Sequence, residues 1–165
     1  MFKSVAINLV RAVDEAAREL RAIDDEVAGA KLNADVWSVK EILGHLVDSA
    51  ANNHQRFVRA QGTTELSFPG YEQDAWVRAQ DYQNTPWPQL VDLWVLYNYH
   101  LAHVIGRIPA RAADVQVRIG GDDPIALSAL AEDYVAHLRH HLLQIRQRKT
   151  MVISRNPDFA DRDPR

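Results

Sequence analysis

The sequence contains no cysteine in its 165 residues. This absence excludes a disulfide-stabilised scaffold, a zinc site built from thiolates and a cysteine nucleophile. If the protein carries out thiol chemistry, the reacting sulfur therefore has to come from a bound small molecule.

Long apolar runs are also missing, because no segment approaches the ~20 apolar residues that a membrane-spanning helix needs. The first residues enter a charged helical pattern without the apolar core of a signal peptide. With 47% hydrophobic and 25% charged residues, the composition is that of an ordinary soluble globular protein. The sequence therefore predicts a cytoplasmic protein that has no membrane partner.

A third absence is an excess of basic residues, since the formal net charge is -3. General nucleic-acid-binding proteins usually carry a basic excess or a basic stripe. We therefore expect no nucleic-acid partner. Seven histidines are the unusual feature of the composition, and the search for a functional site starts from them.

Apolar residues recur at three- and four-residue spacing in four segments, which predicts four long amphipathic helices. The predicted helices cover residues 3–28, 38–60, 85–108 and 127–149. Ser38 and Glu41 form a Ser-x-x-Glu capping box that marks the start of the second helix. The sequence thus predicts an all-α four-helix bundle over residues 1–150, followed by a poorly ordered tail over residues 151–165.

Two long connections join these helices. Residues 61–86 have no sustained period, but they contain several aromatic residues, which argue against disorder. Because long loops in compact domains are commonly functional, we predict an ordered flap over the mouth of the bundle. Residues 110–126 predict an extended crossover with a turn at Gly120 and Gly121.

Two histidines of the fourth predicted helix, His137 and His141, lie one turn apart on the same face, so one ion can contact both rings. His45 on the second helix is the best candidate for a third ligand, although a helical wheel places it roughly 100° from the apolar stripe. His100 is the alternative, since it could line the pocket or take the place of His45. Histidines four residues apart are also compatible with polar edge residues that bind nothing.

These residue types fit a metal site with a catalytic role. Neutral imidazole binds zinc, nickel, copper and iron, and three histidine ligands with an open position are typical of catalytic zinc. Asp48 and Asp133 are acidic residues near these histidines and are candidate acceptors for imidazole N–H groups. Around the pocket we expect five side chains: Phe68, Tyr71, Trp76, Trp94 and His100.

Two segments resemble signature helices of the DinB-like superfamily. Residues 37–49 (Trp-Ser-Val-Lys-Glu-Ile-Leu-Gly-His-Leu-Val-Asp-Ser), with Arg56-Phe after them, are similar to the family's second-helix motif. Residues 133–145 (Asp-Tyr-Val-Ala-His-Leu-Arg-His-His-Leu-Leu-Gln-Ile) are similar to its last-helix motif. The two motifs have the family's order and separation.

This resemblance implies a four-helix bundle with up-down-down-up topology and frequent homodimers. It also implies a divalent metal, often nickel or zinc, held by three histidines. The positions that match these ligands are His45, His137 and His141.

The resemblance implies a range of activities, because relatives include thiol-dependent transferases and isomerases alongside many members without a known activity. The leading hypothesis is a metal-dependent thiol S-transferase that acts on a small molecule, with zinc or nickel and a low-molecular-weight thiol as cofactors. A hydrolase that uses metal-bound water is the first alternative. A non-enzymatic metal-binding or stress-related dimeric protein is the second, and it predicts an ion fully enclosed by protein ligands.

Overall fold

Four long helices form the frame of the molecule, which a computed structural model describes for residues 1–156 and 158–159. They are α1 (Phe2–Arg21), α3 (Val39–Ala60), α5 (Trp87–Gly106) and α6 (Leu127–Arg155), with the short helices α2 (Asp25–Gly29) and α4 (Gln73–Ala79) between them in the chain. Around the core, α1 contacts α5, α5 contacts α3, α3 contacts α6, and α6 contacts α1. The predicted four-helix bundle with up-down-down-up topology is confirmed. No helix in this part of the chain has the length and apolar character needed to cross a membrane.

Two helix boundaries differ clearly from the predicted ones. The segment predicted as one helix over 3–28 is α1 followed by α2, because the Asp24 side chain caps α2 by accepting a hydrogen bond from the Glu26 amide. The last helix continues through Arg155 because buried Val152 extends its apolar stripe beyond residue 149. Residues 151–155 of the predicted tail are therefore helical, while residues 157 and 160–165 lie outside the described residues.

A small sheet joins the two long connections, and it is an addition to the all-α prediction. Its strands are β1 (Glu65–Phe68), β2 (Gln116–Ile119) and β3 (Ile125–Ala126), in the order β1-β2-β3. β1 pairs with β2 in parallel, and β2 pairs with β3 in antiparallel. As predicted, Gly120 and Gly121 lie in a turn, and Gly120 has a left-handed φ of 59°, which glycine adopts without a steric cost. The sheet fixes the predicted flap to the predicted crossover.

Helix α3 is enclosed by other elements on almost all sides. It packs against α5 and α6 and also contacts α2, α4 and β1. Its buried residues include charged and polar side chains as well as apolar ones. Because this helix has no broad solvent-facing side, residues in nearly every direction around its axis, including His45, are buried.

The start of α3 is closed by Ser38, and its replacement by alanine is expected to destabilise the protein. Ser38 Oγ accepts a hydrogen bond from the Glu41 amide at 3.2 Å, and Glu41 Oε2 accepts one from the Ser38 amide at 2.8 Å. The Ser38 hydroxyl also donates to Gln83 Oε1 at 2.7 Å. We expect Ser38→Ala to lower the free energy of unfolding by about 1–2 kcal/mol, measured by urea denaturation.

The matched control is Ser154→Ala, because Ser154 is exposed near the end of α6 and its hydroxyl donates only to the Met151 carbonyl. This variant should change the free energy of unfolding by no more than about 0.5 kcal/mol. Similar losses in both variants would argue against a stabilising role of the capping box.

Candidate metal centre

Three histidines from two helices converge inside the bundle. His45 comes from α3, and His137 and His141 come from successive turns of α6. One ligand atom from each ring lies within 4.8 Å of the others, and the Nε2 atoms of His45 and His137 are 3.4 Å apart. His45 is fully buried, whereas the other two are half-buried. The structure therefore brings together all three residues of the predicted ligand set.

The placement of His45 shows why the helical wheel was misleading. The wheel measures distance from one apolar stripe, but α3 packs against both α5 and α6, so the stripe is not its only inward direction. The His45 ring lies beside the Trp37 ring at 5.3 Å between centroids, and it faces His141 at 4.7 Å. His45 thus points into the contact between α3 and α6.

Burial keeps the three imidazoles in their neutral form. It lowers the pKa of His45 to about 3 and the pKa of His137 to about 4, and neighbouring imidazoles add to both shifts. Burial also lowers the pKa of His141, although its hydrogen bond to Gln144 acts in the opposite direction. Because only the neutral ring can donate a lone pair to a metal, the cluster is prepared for ligation near pH 7.

One hydrogen bond of the His141 ring and one distance between ring nitrogens fit a divalent ion. His141 Nδ1 donates to Gln144 Oε1 at 2.7 Å, which leaves the lone pair of that ring on Nε2. A tetrahedral zinc with bonds of about 2.0–2.1 Å separates its ligand nitrogens by about 3.4 Å, which agrees with the observed distance between His45 Nε2 and His137 Nε2. The donor set therefore suits zinc or another imidazole-binding divalent metal.

Neither predicted carboxylate acts as an acceptor for these rings. Asp48 is buried, and its Oδ1 accepts hydrogen bonds from the Tyr82 hydroxyl at 2.7 Å and from Gln80 Nε2. Burial raises the pKa of Asp48, although both of these bonds act against the shift. Asp133 is exposed, and its charge acts to raise the pKa of His137. Within residues 1–156 no hydrogen bond joins either carboxylate to the three histidines, and the acceptor that is present, Gln144, was not predicted.

A cleft of about 370 Å³ opens beside the cluster. His137 lines it, so the histidine cluster communicates with the cleft through that ring. Asp133 lies on the same wall, Tyr71 comes from the predicted flap, and Arg56 and Asn53 come from α3. A cleft of this size can hold a small molecule next to the ligands.

The five predicted pocket residues have different positions. Tyr71 lines the cleft, while Trp76 packs on the Tyr71 ring at 4.8 Å and is 39% exposed. Phe68 lies against the guanidinium of Arg56, with 5.3 Å between Cζ and the ring centroid. Of these three side chains Tyr71 lines the cleft, whereas Phe68 and Trp76 contact residues that line it.

Trp94 and His100 are not at the cleft, and this corrects the sequence-based expectation. Both belong to α5, which packs on α1 and α3, whereas the cleft lies between α3, α6 and the two connections. Trp94 is fully buried in the core, and exposed His100 lies beside His54 at 5.0 Å between ring centroids. His100 consequently cannot substitute for His45.

Comparison with known proteins agrees with this architecture. The model of the DinB superfamily matches residues 8–145. A protein of Bacillus mycoides (strain KBAB4), whose name proposes a metal-dependent hydrolase, is 25% identical over 134 residues, which cover 80% of this chain and 76% of that protein. YfiT from Bacillus subtilis is described with its solved structure as a probable metal-dependent hydrolase with an unusual four-helix bundle topology.

YfiT superposes on this chain with a TM-score of 0.73 at 17% identity, and the superposition covers 91% of this chain and 86% of YfiT. At that identity the likeness establishes a shared fold, while the family match rests on the sequence itself. Because the family model spans most of the sequence, the chain belongs to the DinB superfamily, and its three clustered histidines have the donor atoms and spacing to hold a divalent ion.

Proposed function

We propose that this protein is a metal-dependent hydrolase of a small molecule, with His45, His137 and His141 as the metal ligands. A divalent ion bound there supplies a Lewis acid that lowers the pKa of a coordinated water or thiol. The observation that carries the proposal is that the ligand cluster borders the cleft through His137. An ion held by three protein ligands would keep a further position for a nucleophile, as in catalytic zinc sites.

Asp133 is the residue that we propose as the proton acceptor. It lies one turn before His137 on α6, lines the same cleft wall, and is exposed to solvent. Residues four apart on a helix are neighbours, so the Asp133 carboxylate lies next to His137, where its charge acts to raise the pKa of that ring. A carboxylate in this position can accept a proton from the attacking group and pass it to solvent.

A second candidate is thiol S-transfer, which the size of the cleft supports. A volume of about 370 Å³ leaves room for a low-molecular-weight thiol and a second small reactant beside the ligands. The chain has no cysteine, so such a thiol would supply the attacking sulfur. The two candidates differ in one testable respect, which is whether turnover needs an added thiol.

The test uses zinc-loaded and nickel-loaded protein with a panel of small esters and amides, with and without a low-molecular-weight thiol. We expect turnover without thiol, and a kcat/KM that falls by about 10²-fold or more in Asp133→Asn. Glu132→Gln is the matched control, because Glu132 is the neighbouring exposed carboxylate on α6 and does not line this cleft. It should leave kcat/KM unchanged.

Other results lead to other conclusions. Turnover that appears only with added thiol would favour the transferase. A tightly bound metal without any turnover would favour a non-enzymatic metal-binding protein. Equal activities of Asp133→Asn and Glu132→Gln would remove Asp133 from the proposed chemistry.

A further inference from the structure

Helix α3 carries a row of polar residues that faces the interior. Residues three and four apart on a helix share a face, and here that spacing continues for three turns. The members of this row are all less than 9% exposed and are His45, Asp48, Ser49, Asn52, Asn53 and Arg56. A buried polar row is costly unless its groups are hydrogen-bonded. Asn52 and Asn53 donate to main-chain carbonyls of α3 itself, so the buried charge of Arg56 is the part of the row that hydrogen bonds within the chain account for least.

Arg56 is the charged residue at the far end of this polar row. It is only 6% exposed, yet it lines the same cleft as His137. Its Nη1 donates to Asn53 Oδ1 at 3.3 Å, while its Nε is buried without a hydrogen-bond partner. The Arg56 guanidinium also lies over the Phe68 ring, with 5.3 Å between Cζ and the ring centroid. The side chain is thus held by an amide and a ring, both of which are neutral.

No carboxylate compensates the charge of Arg56. Within the described residues, none lies within the 4.0 Å that defines an ion pair with it. Among the acidic groups on this side of the molecule, Asp48 accepts from Tyr82 and Gln80 through Oδ1, while its Oδ2 is buried without a hydrogen-bond partner. Asp122 and Asp133 line the cleft and are exposed to solvent. Burial lowers the pKa of Arg56, but a guanidinium remains protonated in proteins. Buried charges are normally paired, so an unpaired guanidinium in this position favours the binding of an anion.

We propose that Arg56 binds a carboxylate or phosphate group of the substrate, so that the cleft selects small anionic molecules. This inference rests on the proposed function, since it names the class of substrate for the same cleft. A guanidinium offers parallel N–H donors that match the two oxygens of such a group. The buried position strengthens the attraction, because the surrounding dielectric screens it less than water does.

The spacing along α3 orients such a substrate. Arg56 follows His45 by eleven residues, which is roughly 16 Å of helix and close to three full turns, so the two residues share a face. Side chains on a helix lean toward its N-terminus, which brings the guanidinium back toward the histidine cluster. The anionic group is therefore bound at one end of the cleft and the reacting bond lies at the other end, near His137.

The test measures anion binding directly and does not depend on turnover. Metal-loaded protein is titrated by calorimetry with succinate, with inorganic phosphate and with neutral succinamide, and the metal content of each sample is determined. We expect succinate or phosphate to bind and succinamide to bind at least tenfold more weakly. Arg56→Met keeps the length of the side chain without its charge, and it should weaken the binding of the anion by about thirtyfold or more while the metal content stays unchanged.

Two controls separate binding from a structural role. Arg59→Met changes an exposed arginine three residues further along α3 and should leave the affinity unchanged. Arg56→Met should unfold at the same temperature as the wild type or at a higher one, because burying an unpaired charge is unfavourable. If Arg56→Met does not fold, Arg56→Lys replaces it, and this variant should bind the anion about tenfold more weakly because the parallel donors are lost.

The comparison of succinate with phosphate identifies which oxyanion is preferred. Equal affinities of wild type and Arg56→Met, or no binding of either anion to the wild type, would overturn the proposal. If the anion binds through Arg56 but no ester or amide is turned over, the proposed hydrolase function is contradicted and the anion site is not.

Discussion

Removal of His137 by the substitution His137→Ala is expected to abolish retention of the divalent ion and the stabilisation that the ion gives to the fold. Two histidine ligands bind a metal far more weakly than three, and His137 connects His45 on α3 with the cleft. An ion that binds only the folded state adds about 4 kcal/mol to the free energy of unfolding when it is present at a thousand times its dissociation constant. His137→Ala should lose nearly all of this increment.

The measurement combines elemental analysis with chemical denaturation, each with metal and with a chelator. Wild-type protein should contain about one ion per chain, and the chelator should lower its free energy of unfolding. In His137→Ala the chelator should have almost no effect, because little metal is bound. His140→Ala is the matched control, since His140 is exposed on the same helix and is not part of the ligand cluster. A full complement of metal in His137→Ala would contradict the assignment of the ligands.

The second large effect is expected for Gly44→Ala, in which one methyl group is added to α3. A Cβ at residue 44 would lie 2.1–2.7 Å from three ring carbons of Tyr82, which is far inside van der Waals contact. The Tyr82 ring cannot move away easily, because it is buried and its hydroxyl donates to Asp48. We expect a loss of about 3 kcal/mol or more in the free energy of unfolding. Because residue 44 precedes His45, the metal content should fall as well.

Two further variants make this prediction specific. Gly62→Ala is the control, because its added Cβ would approach nothing closer than the Arg59 carbonyl at 3.9 Å, and its effect should stay within about 0.5 kcal/mol. In the double variant Gly44→Ala, Tyr82→Leu the collision is relieved, so its loss should be smaller than the sum of the two single losses by about 1 kcal/mol or more. If the losses in the free energy of unfolding are additive, a collision with the Tyr82 ring is not the reason why Gly44→Ala is destabilising.

The clustering of the three histidines could be predicted because two signals agreed on these residues. The four-residue spacing of His137 and His141 follows from helix geometry alone, and the family motif added His45. The wheel disagreed about His45 because it assumes that a helix has one buried side, whereas α3 contacts elements in several directions. Whether His45 faces the interior depends on how the other helices pack around α3, which a helical wheel does not contain.

The surroundings of the site were harder to predict because they depend on residues far apart in the sequence. Asp48 is three residues from His45, but its carboxylate is bonded to Gln80 and Tyr82 from the segment after α4. Gln144 was missed as an imidazole acceptor although its spacing of three residues from His141 is a helical contact distance. Arg56 also had a detectable signal, because polar residues recur along one face of α3 at helical spacing.

The strands illustrate the same limit at the level of the fold. β1 and β2 are four residues each, and they pair across two different connections. The pattern of apolar residues does not reveal such a pairing, because each strand is short and its partner is distant in the chain. The helices, by contrast, repeat their apolar residues over many turns, and all four long ones were found.

The joining of the two connections by the sheet has a consequence for how this protein can diversify. The histidines are carried by the bundle helices, whereas Gly70, Tyr71, Ile119 and Asp122 on the opposite wall of the cleft come from the connections. Insertions and substitutions in surface connections are tolerated far better than changes in a packed core. We therefore expect the two connections to be exchangeable between relatives only as a pair. Transplanted together, they should change the lining of the cleft and leave the histidine cluster in place, whereas transplanting one alone should break the β1–β2 pairing.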